Sequence, residues 1–129
     1  MAFNALLDLD GTTYKLRHCS YSLHQSTDET GRPMSDVVGG TLQFEVESSD
    51  DTSFFKWMID PIGKKSGKIT FTRRNEEGSL KEVEFEDAHL TGYSESMDAL
   101  SNSPMVENIV ISAKKLSVAG DAHENVWEF

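Results

Sequence analysis

The residues whose types and spacing could best support catalysis lie near the start of the chain, in the segment Asp8-Leu-Asp-Gly-Thr12. Two carboxylates separated by one residue, directly after an apolar segment, can serve a phosphoryl transfer. This spacing is compatible with a Mg²⁺-dependent phosphatase.

The surrounding sequence disagrees with that chemistry. The segment resembles the nucleophile motif of haloacid-dehalogenase-type phosphatases. The resemblance implies that Asp8 attacks phosphorus, that Asp10 acts as general acid and base, and that Mg²⁺ balances the charge. These phosphatases need a parallel sheet with helices between the strands. Residues 13–23 are instead rich in β-formers and predict a strand where a helix should begin. An Asp-Gly hairpin turn explains the same residues. Asp50 and Asp51 could supply a later acidic pair, but only one helix is evident, so the phosphatase is the weaker alternative.

Other residues that could do chemistry lack a local signature. The four histidines, His18, His24, His89 and His123, show no metal-ligand spacing. A calcium loop starting at Asp8 would need a glutamate where Cys19 stands. No glycine-rich phosphate loop and no Gly-x-Ser-x-Gly motif is present. The residues therefore predict no catalytic site, no metal site and no cofactor, and Cys19 is expected to be a small buried side chain.

Length and charge limit the class of protein. A chain of 129 residues is expected to form one domain, over residues 1–129. Its net charge of −10 argues against nucleic acid and anionic membranes as partners, because both require a basic surface. No segment approaches the roughly 20 apolar residues of a membrane-spanning helix, and the N-terminus does not resemble a signal peptide. The single cysteine fits synthesis in a reducing compartment.

The longest alternating pattern covers residues 67–93 and predicts a β-hairpin at the centre of the fold. Apolar side chains recur at every second position on both sides of the polar segment 75–78, which carries a glycine and favours a turn. The apolar parity changes after Phe85. One extra residue near 86–87 would restore the inward face, so the pattern predicts a β-bulge there.

The remaining pattern predicts further strands, one helix and one long loop. Strands are predicted over residues 3–9, 14–23, 41–46 and 106–118, the last with a second bulge. A short helix follows the serines and aspartates at 48–51, and its expected inward residues are Phe54, Phe55, Met58 and Ile62. Residues 26–40 show no periodicity, and a loop of this length is usually functional or disordered. Together the elements predict a mainly β fold: an antiparallel β-barrel of two packed sheets with one short flanking α-helix and a long extended loop.

Charged residues form blocks of opposite sign along the central hairpin. The basic block contains Lys64, Lys65, Lys68, Arg73 and Arg74, and the acidic block that follows contains Glu82, Glu84 and Glu86. One interpretation is that these blocks are complementary patches that set the register between identical subunits. The other is that they are solvated faces whose ion pairs each contribute little to stability.

A series of segments also occurs in an order and spacing that is typical of one family. They include Tyr14-Lys-Leu-Arg-His-Cys-Ser-Tyr-Ser22, Gln25-Ser-Thr-Asp-Glu-Thr-Gly-Arg-Pro33, Gly39-Gly-Thr-Leu42, Asp51-Thr-Ser-Phe-Phe-Lys-Trp-Met58, Gly67-Lys-Ile-Thr-Phe71, Phe85-Glu-Asp-Ala-His-Leu90, Ser103-Pro-Met105 and Ile111-Ser-Ala-Lys-Lys-Leu116. Together they resemble the tube protein of type VI secretion systems, the haemolysin-coregulated protein or TssD family, and most of all its branch in Bacteroidetes.

The resemblance implies a structural protein without catalytic activity. It implies homohexameric rings that stack into a hollow tube, with sheath, spike and baseplate proteins and secreted effectors as partners. It also implies cytoplasmic assembly followed by secretion without a signal peptide. In this family the long loop after the second strand takes part in contacts between stacked rings. That role falls here on Asp28, Glu29, Thr30, Gly31, Arg32, Pro33 and Met34. A monomeric β-barrel that binds a small ligand is a further alternative.

Overall fold

The computed structural model describes residues 3–35, 37–73, 81–100, 102 and 104–125. Its elements are β1 (Phe3–Leu9), β2 (Thr12–His24), β3 (Val38–Glu47), α1 (Ser53–Met58), β4 (Lys65–Arg73), β5 (Lys81–Ser96), β6 (Val106–Ser112), β7 (Lys115–Val118) and β8 (Asp121–Glu124). The predicted turn at 75–78 and the C-terminal residues 126–129 lie outside the described residues.

The strands form one antiparallel sheet that returns on itself. Its order is β4-β1-β2-β3-β6-β5-β7-β8, and β4 also pairs with β5, so that β1, β2, β3, β6, β5 and β4 form a closed ring. β7 and β8 extend the sheet from β5. Closure removes most of the free strand edges that a small open sheet would expose. The predicted mainly β, antiparallel fold with one short helix is confirmed.

The interior of the ring is filled with apolar side chains. The alternating positions that predicted the strands supply this core, which includes Leu7, Leu42, Ile69, Val83 and Ile111, all fully buried. Phe71 packs against the same core but is only partly buried. A filled interior weighs against a barrel that holds a small ligand, because such sites need a cavity.

The bulge predicted in the central hairpin is confirmed. Lys65 pairs with Ala88 and Gly67 pairs with Phe85, so β5 has one residue more than β4 over this stretch. Asp87 takes up the extra residue with a positive φ of 52°. As a result, Phe85 and Ala88 are both buried although they differ in parity.

The long strand predicted over residues 106–118 is divided into β6 and β7. Both pair with β5, on either side of its bulge: Ser112 pairs with His89, and Lys115 pairs with Glu86. The break between β6 and β7, where a second bulge was predicted, therefore lies opposite the bulge of β5. The two coincide because a bulged strand bends, and its hydrogen-bonded neighbour must bend with it.

The face that α1 turns toward the barrel differs from the predicted one. Of the four apolar residues expected to point inward, only Phe54 is buried, with 2% of its surface exposed. Phe55 is 51% exposed, Ile62 is 81% exposed and Met58 is 36% exposed. Trp57 is the second buried residue, with 3% exposed. A helix of six residues leaves several apolar faces possible, and contacts with the barrel decide among them.

Two aromatic anchors hold α1 on the barrel. The Phe54 ring centroid lies 4.9 Å from that of Tyr14 and 5.8 Å from that of Phe44. The indole Nε1 of Trp57 donates a hydrogen bond of 3.1 Å to the carbonyl oxygen of Gly63, which fixes the turn that follows the helix. The helix therefore persists through packing rather than through its own length.

Candidate functional site

A long exposed segment connects β2 to β3. It covers residues 25–37, and we call it the arm. β2 and β3 remain paired up to His24 and Val38, with a register shift between Ser22 and Leu23, so the arm leaves from the end of a bulged hairpin. All of its described residues are exposed. The residues assigned to ring contacts by family resemblance, 28–34, form the outer part of this arm.

The arm is a small hairpin with its own hydrogen bonds rather than an irregular loop. Thr27 and Pro33 form an isolated antiparallel bridge. The backbone N–H of Met34 donates to the carbonyl oxygen of Ser26 at 2.8 Å. An exposed segment with this internal bonding has a defined shape without support from the barrel.

Asp28 organises the tip of the arm. Its Oδ1 accepts hydrogen bonds from the Thr30 hydroxyl at 2.7 Å, the Thr30 backbone N–H at 2.9 Å and the Arg32 backbone N–H at 3.0 Å. These bonds, that of the Thr30 hydroxyl first, hold the pKa of the Asp28 carboxyl below its ordinary value. Gly31 occupies the left-handed region at φ 87°, which closes the turn. The tip therefore presents Glu29 and Arg32 in a fixed local frame.

The charged blocks are partly paired within the chain. Lys68 Nζ lies 3.5 Å from Glu82 Oε1 across β4 and β5. Lys65 Nζ lies 2.8 Å from Asp10 Oδ2 and 5.7 Å from the centre of the Trp57 ring. These contacts favour the interpretation of solvated faces with local pairs for Lys65, Lys68 and Glu82.

The other members of the charged blocks remain candidates for contacts between subunits. Lys64, Glu84 and Glu86 are exposed. The Arg73 side chain and all of Arg74 lie outside the described residues. A role for these groups between copies of the chain stays a prediction.

The acidic motif near the N-terminus forms a hairpin turn. Asp10 and Gly11 connect β1 to β2 with φ values of 50° and 80°. Asp8 accepts a hydrogen bond of 2.7 Å from the Thr13 hydroxyl, and Asp10 pairs with Lys65. An antiparallel strand follows where the phosphatase would need a helix. The phosphatase geometry is therefore not formed by this segment.

The described part of the chain contains neither a cluster of metal ligands nor a membrane-spanning helix. Among those residues, no group of three or more His, Cys, Asp or Glu side chains could hold a metal ion. Within the same residues, no helix is both long and apolar enough to cross a membrane.

Comparison with known proteins identifies the family. The family model for "Hemolysin coregulated protein Hcp (TssD)" matches residues 1–128. The chain belongs to the Hcp family. Hcp1 from Flavobacterium johnsoniae is 37% identical, with a TM-score of 0.89 over 95% of this chain and 99% of that one. No curated protein sequence is similar to this chain at a significant level.

More distant structures share the Hcp fold. Hcp1 from Salmonella typhimurium has a TM-score of 0.74 at 17% identity, over 90% of this chain and 85% of that one. A chain of the sheath-tube complex of an extracellular contractile injection system, in its extended state, has a TM-score of 0.62 at 17% identity. That match covers 90% of this chain and 88% of the other. At such identities the likeness concerns the fold alone.

One buried charge in this Hcp-family chain escaped the sequence analysis. Glu107 on β6 is only 6% exposed, and its Oε1 accepts a hydrogen bond of 3.0 Å from the Tyr93 hydroxyl. The signal was present, because Glu107 has the same parity as the inward residues Ile109 and Ile111. Burial raises the pKa of the Glu107 carboxyl above its ordinary value, and the carboxylate of Glu95 adds to this effect.

The raised pKa predicts how Glu107 affects stability as pH changes. The folded state binds this proton more tightly than the unfolded state, so the contribution of Glu107 to stability falls as pH rises from the ordinary glutamate pKa through the folded-state value. Glu107→Gln keeps an acceptor for Tyr93 but removes the charge. We expect its unfolding free energy, relative to wild type, to be higher at pH 7 than at pH 4, measured by urea denaturation. An equal difference at both pH values would contradict a penalty from the buried charge.

Proposed function

We propose that this chain is a structural subunit of the inner tube of a type VI secretion system. Six copies would form a ring, and rings would stack into a hollow tube that a contractile sheath ejects. The observation that carries the proposal is the match of the Hcp family model to residues 1–128. The identity of 37% to a solved Hcp1 supports it at the level of sequence.

The shape of the protomer supports assembly through the arm. The arm is ordered by its own hydrogen bonds, yet its described residues are all exposed in the single chain. Such a hairpin can bury its surface only against another molecule, and ordered exposed loops on a rigid scaffold commonly serve binding. In the proposed tube, residues 28–34 contact the adjacent ring.

The remaining parts of the proposal concern catalysis, partners and location. The chain acts without catalysis, and its partners are copies of itself, the sheath, spike and baseplate proteins, and secreted effectors. It assembles in the cytoplasm and leaves the cell with the ejected tube. The net charge of −10 supports protein partners rather than nucleic acid.

The first test is the mass of the purified protein in solution, with negative-stain images of the same sample. A mass of six copies together with annular particles is the expected result. A protein that stays monomeric at high concentration, and remains so when sheath and baseplate proteins are supplied, would contradict the proposal.

Arg32→Glu tests the arm within this proposal. Because Arg32 is an exposed residue on the tip, reversing its charge should leave the stability of the protomer within about 0.5 kcal/mol of wild type. We expect rings of unchanged mass, but stacking weakened about tenfold or more, since like charges placed at an interface cost a kcal/mol or more. Ring mass and tube length are measured by light scattering and electron microscopy.

Lys15→Glu is the matched control for this variant. It makes the same change of charge at an exposed residue near the start of β2, whereas the arm follows the other end of that strand. Tubes that form normally with Arg32→Glu, or that are lost equally with both variants, would overturn the assignment of the arm.

A further inference from the structure

One side chain, that of Asn125, ties the root of the arm to the end of the C-terminal strand. Its Nδ2 donates hydrogen bonds to the carbonyl oxygen of Gly39 at 2.7 Å and to that of Ala113 at 3.0 Å. Gly39 is the second residue of β3, Ala113 lies between β6 and β7, and Asn125 directly follows β8. The amide therefore joins three segments that are distant in sequence.

The two carbonyl oxygens fix the orientation of this amide, because they can only accept and must therefore face Nδ2. Asn125 Oδ1 lies 3.0 Å from His123 Nε2, and since Oδ1 can only accept, the imidazole donates. The Asn125 backbone N–H also donates to the carbonyl oxygen of Lys114 at 2.7 Å. Both ends of the side-chain amide thus have partners: Nδ2 donates to the carbonyl oxygens of Gly39 and Ala113, and Oδ1 accepts from His123.

The backbone around Asn125 is packed so closely that it depends on glycine. A Cβ atom on Gly40 would lie 2.7 Å from the carbonyl oxygen of Ala113 and 3.2 Å from Asn125 Nδ2. The N–H of Ala113 donates to the carbonyl oxygen of Gly40 at 2.9 Å. Gly39 pairs with Leu23 on the opposite side of the root. The first residues of β3 are therefore held between β2 and the Asn125 amide.

We propose that Asn125 is the positioning residue of the arm: by holding the Gly39 carbonyl it sets the direction in which the arm leaves the barrel. The described residues of the arm are all exposed, and its backbone joins the barrel at its root, so the root sets its direction. A shift at Gly39 would be carried outward to Arg32 by the rigid internal bonding of the arm. The positioning role itself does not depend on the proposed function. Only its expected effect on the stacking of rings rests on that function.

Two variants of Asn125 separate this role from a general loss of stability. Asn125→Ala removes the amide, while Asn125→Asp keeps the acceptor for His123 but replaces the donor with a carboxylate oxygen that faces two carbonyls. Thr91→Val is the matched control. The Thr91 hydroxyl also donates to a backbone carbonyl, that of Val110 at 3.3 Å, but it does so between β5 and β6.

The decisive measurement is hydrogen exchange of the purified protein, followed by mass spectrometry of peptides that cover residues 22–24 and 37–40. We expect exchange at this root to be about tenfold faster in both Asn125 variants, because a single net hydrogen bond changes a local opening equilibrium by about that factor. Thr91→Val should leave the root unchanged. Ring mass should stay as in wild type, while tube stacking should weaken in the Asn125 variants.

Other outcomes would overturn the proposal or separate it from the proposed function. Unchanged exchange at the root in Asn125→Ala would refute the positioning role, and so would an equal increase over every strand. If the root loosens as expected but the wild-type protein forms no rings even when sheath and baseplate proteins are supplied, the positioning role stands and the proposed function fails. If rings stack normally although the root has loosened, the link from arm direction to stacking is wrong.

Discussion

Phe54→Ala is expected to lower the free energy of unfolding by about 3–5 kcal/mol, the usual cost of deleting a fully buried phenylalanine side chain. Phe54 is buried against Tyr14 and Phe44, so its removal leaves a cavity between α1 and the barrel. A helix of six residues cannot persist alone, so we also expect α1 to loosen. Equilibrium urea denaturation and hydrogen exchange of residues 53–58 measure the two effects.

The neighbouring phenylalanine provides the matched control. Phe55 has the same side chain on the same helix, but half of its surface is exposed, and its ring makes a T-shaped contact with Tyr93 at a centroid distance of 6.0 Å. Phe55→Ala should therefore cost less than about 1 kcal/mol. Equal losses in the two variants would show that α1 presents a different face to the barrel.

Gly39→Ala is expected to destabilise the protein by about 3 kcal/mol, since it combines overpacking with backbone strain. A Cβ atom at this position would lie 2.6 Å from the Ser22 carbonyl oxygen and 2.7 Å from the Leu23 Cα. Both are backbone atoms of the paired strand, and they cannot move without breaking the pairing at the root of the arm. Gly39 also has a φ of 149°, in a region that side chains rarely adopt.

Gly31→Ala separates the clash from the conformational cost. Gly31 also has a positive φ, 87°, but no heavy atom of the described residues beyond Gly31 and its two chain neighbours lies within 4 Å of the position its Cβ would occupy. We expect it to cost only about 1 kcal/mol, the price of a left-handed conformation for alanine. Both variants are compared by urea denaturation. A Gly39→Ala variant no less stable than Gly31→Ala would contradict the close approach of β2 and β3 at the root.

Much of the sheet could be predicted because a strand with one buried face shows an alternation of apolar and polar residues in its own sequence. The alternation around Ile69 and Val83 reports which side of each strand meets the core, and the change of parity after Phe85 predicted the bulge at Asp87. These signals depend only on neighbours in sequence and on the period of the extended chain. The same rule places Glu107 on the inward face of β6 together with Ile109 and Ile111.

The arm was predicted less completely. Its position followed from the missing periodicity of residues 26–40 and from family resemblance, whereas its hairpin structure was not predicted. A local signal for that structure existed: Asp28 two residues before Thr30 is a typical side-chain-to-backbone turn, which competes well with regular secondary structure. The first glycines of β3 fall within the loop predicted over residues 26–40, because that stretch shows no periodicity. The close packing that requires them is a tertiary feature.

The sequence by itself therefore determined the antiparallel β class, the Asp10-Gly11 turn, the bulge and the place of the arm, because each is written in neighbouring residues. Tertiary structure alone decided which face α1 buries, since six residues permit several, and which partners Lys65 and Lys68 take. The contact between Asn125 and Gly39, which are 86 residues apart in sequence, was likewise decided by the tertiary structure. Contacts of that range depend on how the ring of strands closes, and no local pattern encodes the geometry of closure.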